Sequence, residues 1–146
     1  MKIYFDVCCL NSPYDDQNQD RIHMESEAII TILKHIEYSD WWLISSGIVN
    51  YEINQTSDDE RRERLLSLVN SATKFVKIDQ EIYIRAKQIQ KFGIKTYDSL
   101  HIACAEYGNA DVFLTTDDRL RKAVKRNFNE IKVEVENPLL WLHKVV

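Results

Sequence analysis

Glycine and proline are scarce, with three Gly and two Pro in 146 residues. A sandwich or barrel of many short strands draws on these residues for its tight turns, so an all-β design is disfavoured. Cysteine is nearly as rare. Cys8 and Cys9 are chain neighbours, which rarely reach bridging geometry, and Cys104 stands alone. No disulfide framework or CxxC motif exists, so the three are read as small apolar residues of a chain kept in a reducing, cytoplasmic compartment. Long hydrophobic runs are missing too: none nears the roughly 20 residues of a membrane span, and no membrane contact is expected. The opening MKIYFDVCCL carries an acid too early, and is too short, for a secretory signal. Basic excess is also lacking. Nineteen Lys and Arg stand against 23 Asp and Glu, a net charge of −4, which excludes a globally basic nucleic-acid binder and leaves room only for a local patch.

What is present is ordinary globular composition, 45% hydrophobic and 29% charged. The length suits one domain over residues 1–146 with one real core. Short β-branched or aromatic runs alternate with stretches of helical spacing. Strands are expected at Lys2–Asp6, Trp41–Ser45, Lys74–Ile78, Val112–Thr115 and, as an alternating edge strand, Ile131–Val135. Helices are expected at Arg21–Tyr38, Gly47–Ile53, about Asp59–Ala72 with Ser57 or Asp58 as cap, Gln80–Lys91 stopped by Gly93, Thr96–Tyr107 between a Thr96 cap and Gly108, Asp117–Asn127, and a closing turn at Pro138–Lys144. Asn11–Asp20 reads as a polar loop. Strands alternating with helices predict a mostly parallel sheet covered on both faces.

Four acids fall at notable places in this pattern. Asp6 ends the first strand and Asp117 follows the fourth. Carboxyl ends of parallel strands line the crevice in which α/β proteins bind ligands. Glu52 continues the stripe of Ile48 and Val49, and Asp98 stands four residues before Ile102, each near the start of its helix. Taken singly, each reads as a cap or a solvated acid; four in such positions point to a site. Converging carboxylates repel, by about 4 kcal/mol for a pair about 4 Å apart at an effective dielectric near 20. They must protonate or be neutralised by a cation. An all-carboxylate set selects hard cations, chiefly Mg²⁺ or Mn²⁺, and such an ion suits phosphodiester hydrolysis.

These segments resemble a known family. Asp6 in IYFDVCCL, Glu52 in SSGIVNYEI, Asp98 in YDSLHIACA and Asp117 in VFLTTDDRL are similar to the acidic quartet of the PIN domain, and most similar to small VapC-like toxins of toxin–antitoxin pairs. The run from Asp98 to Asp117 carries the family's D-x-x-x-x-A-x-A and T-x-D pattern. The resemblance implies a three-layer α/β/α sandwich around a central, mostly parallel five-stranded sheet. It also implies a Mg²⁺- or Mn²⁺-dependent endoribonuclease acting on single-stranded or structured RNA, a homodimer and a small antitoxin partner. Asp6, Glu52, Asp98 and Asp117 would be its catalytic and metal-binding residues, with Thr115 as supporting hydroxyl. Val7 and Cys8 depart from it, since many members carry Thr or Ser after the first acid. Asp118 is a second possibility for the fourth acid, which the T-x-D spacing disfavours.

Other residues are read more plainly. His101, in the Asp98 helix, is taken for a packing or surface histidine, and no His or Cys set has zinc spacing. Arg61, Arg62 and Arg64 are flanked by acids and read as a salt-paired solvated helix. Arg119, Lys122 and Arg126 share one face of the helix after Asp117, where they are candidates for RNA phosphates. A receiver domain or a haloacid-dehalogenase-like phosphatase would need acids or a Lys that are absent. A catalytically inactive PIN scaffold, serving as an RNA- or protein-interaction module, is the main alternative.

Overall fold

The computed structural model describes residues 1–146. Five parallel strands form one sheet: β1 (Lys2–Phe5), β2 (Trp42–Ser46), β3 (Lys74–Val76), β4 (Val112–Leu114) and β5 (Glu134–Glu136), in the order β3-β2-β1-β4-β5. Ile3, Tyr4 and Phe5 are all buried although alternate side chains of a strand point to opposite faces, so helices cover β1 on both sides. The α/β class, the parallel sheet and its five strands agree with the sequence reading.

The helices are α1 (Val7–Asn11), α2 (Asp20–Tyr38), α3 (Gly47–Asn54), α4 (Asp59–Asn70), α5 (Gln80–Gln90), α6 (Thr96–Tyr107), α7 (Asp118–Arg126) and α8 (Pro138–Val145). α5 packs on α6, and α2 on α8. Seven consecutive residues of α6, from Ser99 to Ala105, are buried, which marks a helix enclosed by protein rather than one with a wet face. Trp141 is buried and meets Trp41 edge-on at 5.5 Å, closing the α8 end of the core. Glu25 is buried as well. It accepts from Asn137 Nδ2 at 2.6 Å, while Asn137 Oδ1 caps α8 through Leu139 and Leu140 N–H.

Four local expectations need correction. The short α1 and a 3₁₀ turn at Ser12–Tyr14 occupy a stretch partly read as loop; five residues are too few for a helical period to register. Lys95, not Thr96, holds the N-cap position of α6, without a side-chain cap. The last strand begins at Glu134, because Ile131 and Val133 bury their side chains outside the ladder. The closing turn is a full helix, opened by the Asn137 cap and by Pro138 in its first turn. Gly93 has φ +84°, the left-handed conformation expected of a glycine just after a helix.

Candidate active site

The strand order reverses beside β1. The chain runs from β1 to β2 and β3 on one side, then returns to place β4 and β5 on the other. This switch point opens a crevice between the carboxyl ends of β1 and β4. The register pairs Phe5 with Leu114, so the next residues, Asp6 and Thr115, lie side by side. Thr115 is fully buried; its hydroxyl donates to Asp6 Oδ2 at 2.8 Å and accepts from the Asp117 N–H at 3.1 Å. One threonine thus ties the first acid to the turn that carries the fourth. Asp117 Oδ1 caps α7 through the Arg119 and Leu120 N–H groups, at 2.9 and 3.2 Å, and its other oxygen is left for the crevice.

Asp118 is committed elsewhere. Arg21 donates to both its oxygens, at 2.8 and 2.9 Å, and to Thr116 O at 3.1 Å. Arg121 joins at 3.3 Å. The Arg21 hydrogen bonds hold the Asp118 carboxyl below its usual range. This clasp fixes the turn after β4 from the α2 side.

Glu52 comes from the last turn of α3, not from near its start as the sequence reading had it. Gly47 permits this helix to start directly after β2, since a Cβ there would stand 2.9 Å from Ile78 Cγ1. Ser46 caps the helix through the Val49 N–H at 3.3 Å. One Glu52 oxygen is hydrogen-bonded to His101 Nε2, and His101 Nδ1 to the Tyr4 hydroxyl at 2.7 Å. His101 is 0% exposed. It is a packing residue as expected, yet both its nitrogens are engaged and one reaches an acid of the quartet. No pattern within α6 signals this, because the partner lies 49 residues away on another helix.

Asp98 sits in the first turn of α6. Burial raises its carboxyl to about 6, and the charges of Asp6, Asp117 and Glu52 push in the same direction, with Asp6 the strongest of the three. The four acids therefore share one electrostatic neighbourhood. Asp98 and Asp117 line a groove of about 300 Å³ together with Lys95, Arg119, Lys122 and Arg126. Arg21, Arg61, Arg62, Arg64, Arg85 and Arg121 each pair with a carboxylate, whereas Arg119 and Arg126 have no such partner. The face of α7 singled out by spacing is thus turned to the acids. Lys95, which sequence reasoning passed over, joins it from the start of α6.

The PIN domain family pattern matches residues 5–126. The chain belongs to the PIN domain family. Its members are typically nucleases, and membership supports that kind of activity. No curated protein matches the sequence at a significant level. Among solved structures, this PIN domain is similar to VapBC2 from Rickettsia felis bound to a DNA fragment from their promoter. It is equally similar to VapBC-1 from nontypeable Haemophilus influenzae and to DNA-bound VapBC from Salmonella typhimurium. Each has a TM-score of 0.58 at 15% identity, over 94% of this chain and 98% of the other. At that identity the likeness is one of fold.

The acids offered as donors in this PIN domain present only oxygen, as hard cations require. As placed, no three His, Cys, Asp or Glu side chains form a ready cage for an ion. Glu52 is held toward His101, Asp117 caps a helix and Asp6 accepts a hydrogen bond from the Thr115 hydroxyl. Such a set fits Mg²⁺ or Mn²⁺, which keep several waters and need only one or two direct carboxylates. At the departure from the family pattern, Cys8 Sγ accepts from the Thr116 hydroxyl at 3.2 Å and lies 3.6 Å from Thr115 Oγ1. Its thiol takes a place beside Thr115 that a hydroxyl could fill. No helix is long and apolar enough to cross a membrane.

Proposed function

We propose that this PIN domain is a Mg²⁺- or Mn²⁺-dependent endoribonuclease acting on single-stranded RNA, and the toxin of a toxin–antitoxin pair. The observation that carries the reading is the groove. It joins acids suited to a hard cation with arginines that have no carboxylate partner of their own. Asp6, Glu52, Asp98 and Asp117 would hold the ion directly or through its waters. When bound, the ion supplies an activated water and positive charge for the phosphate. The chain's own residues do the rest. Thr115 orients Asp6, and Arg119, Lys122 and Arg126 hold the flanking phosphates by charge-assisted hydrogen bonds.

RNA as substrate and an antitoxin as partner rest on the resemblance of the quartet segments to VapC-like toxins and on the VapBC neighbours in fold. A partner's arginine would suit the acids, because its fork pairs carboxylates bidentately. A scaffold that binds without cleaving draws on one observation, the absence of a ready three-ligand cage. Incubating a labelled single-stranded RNA with the purified protein separates the two. Internal cleavage in Mn²⁺ that stops in EDTA is expected. Undiminished cleavage in EDTA contradicts the metal, and intact RNA in Mn²⁺ leaves the scaffold.

A further inference from the structure

We propose that Tyr4 and Ser46 hold His101 in a single tautomer, and that His101 is the positioning residue that fixes the Glu52 carboxylate. The role assigned to Glu52 rests on the nuclease reading above; the hydrogen-bond circuit stands apart from it.

Three residues with 0% exposure stand in line: Ser46, Tyr4 and His101. Ser46 Oγ is 2.7 Å from the Tyr4 hydroxyl, Tyr4 is 2.7 Å from His101 Nδ1, and His101 Nε2 meets Glu52 Oε1. The direction of each bond follows from what each group has to give. A carboxylate only accepts, so the proton facing Glu52 belongs to Nε2. In the neutral ring Nδ1 is then an acceptor, and the Tyr4 hydroxyl donates to it. Burial raises Tyr4 well above the usual phenol range, so that proton is retained. Tyr4 oxygen in turn accepts from Ser46, whose own oxygen accepts the Val49 N–H. Each hydroxyl donates once and accepts once, and each ring nitrogen makes one bond. Reversed, a neutral ring would turn a bare Nε2 lone pair toward the carboxylate, two acceptors face to face. His101 is fully buried, so its ring nitrogen would be left unsatisfied at a cost in stability.

The circuit begins and ends on α3. Ser46 caps the helix and Glu52 rides on it, while the link runs through β1 and α6. Glu52 is the one member with a substantially wetted side chain, 26% exposed. It therefore reaches from a dry interior toward solvent, and His101 sets where it stands. A histidine needed only for packing would be served by its edge contacts with Tyr4 and Phe113 and one hydrogen bond. The second, to an acid of the quartet, resembles the outer-shell partners that orient metal-site carboxylates.

The test uses the intact protein with ¹⁵N-labelled histidine, first metal-free. Nitrogen–proton correlation spectra of the wild type should show His101 as the Nε2–H tautomer. In Tyr4→Phe, which keeps the ring stacked on Phe113 at 5.3 Å, the single-tautomer pattern should be lost. Mn²⁺ affinity, by calorimetry, should fall about tenfold, and kcat should fall similarly, with the KM for RNA within about twofold. His101→Gln, whose amide N–H can still donate to Glu52, should retain more Mn²⁺ affinity than His101→Phe. An Nδ1–H or doubly protonated ring in the wild type overturns the proposal. So does a folded Tyr4→Phe with unchanged tautomer, Mn²⁺ affinity and kcat. Should the wild type neither bind Mn²⁺ nor cut RNA, the nuclease reading falls, and the tautomer spectra still decide the circuit.

Discussion

Asp98 carries a penalty in the metal-free protein. Its carboxyl is raised from the ordinary 3.8 to about 6, first by burial and then by its acidic neighbours. A carboxyl raised on folding binds its proton more tightly folded than unfolded. Its contribution to stability is therefore intact at low pH and is lost as pH rises from about 4 to about 6. Replacing it by Asn removes that loss. Without metal, Asp98→Asn should melt a few degrees above wild type at pH 7.5, and the gain should shrink toward pH 4. Equal melting at pH 7.5 would contradict the burial and repulsion inferred here. Thr115 has the opposite sign. Thr115→Val keeps the shape but strips the buried Asp6 oxygen and the Asp117 N–H of their shared partner. Denaturant unfolding should show a loss of about 1–3 kcal/mol. Asp6 and Asp117 were legible in the sequence because strand ends announce themselves by the hydrophobic runs before them, whereas Thr115 entered only through the resemblance to the family. The His101–Glu52 link was not, since it joins two helices through tertiary packing and leaves no periodic trace.

At the scale of elements, α7 carries the substrate argument. Arg119, Lys122 and Arg126 line the groove, while Arg121, on the neighbouring face, is bound to Glu136 at 2.8 Å and to Asp118. Helical spacing alone separated these two faces, and the structure assigns them different partners. Changing Arg119, Lys122 and Arg126 together to Gln should weaken RNA binding. It should also flatten the slope of log K against log salt by roughly 1 to 2 units, at about 0.7 per phosphate contact on a single strand. Mn²⁺ affinity should hold, since none of the three offers a carboxylate. An unaltered salt slope would make this face solvated surface and send the RNA path elsewhere. The elements least legible in sequence were the short ones. α1 spans less than two turns, and β5 has three residues in an edge position, where a parallel ladder demands few apolar side chains.

Over the whole molecule, the alternation of strands and helices was enough to predict the parallel sheet, and the switch point beside β1 then follows from strand order. What no pattern conveyed was how the acids are held. Each is engaged by a different neighbour: Thr115, His101, a helix N-terminus or the packing around α6. Surface aromatics bear on assembly. Trp141 and Trp41 serve the core, whereas Trp42 and Tyr83 stay exposed. The homodimer that the family resemblance implies should appear as twice the monomer mass by light scattering at micromolar concentration, and a monomer there would contradict it. The central claim is that the acids beside this groove make a nuclease by holding a divalent ion. It is tested most directly by the rate at which Asp6→Asn cleaves single-stranded RNA at saturating Mn²⁺. Losing several kcal/mol of charge stabilisation corresponds to a fall of about a hundredfold or more, with melting no lower than that of the wild type. A folded Asp6→Asn protein that cuts at the wild-type rate would contradict it.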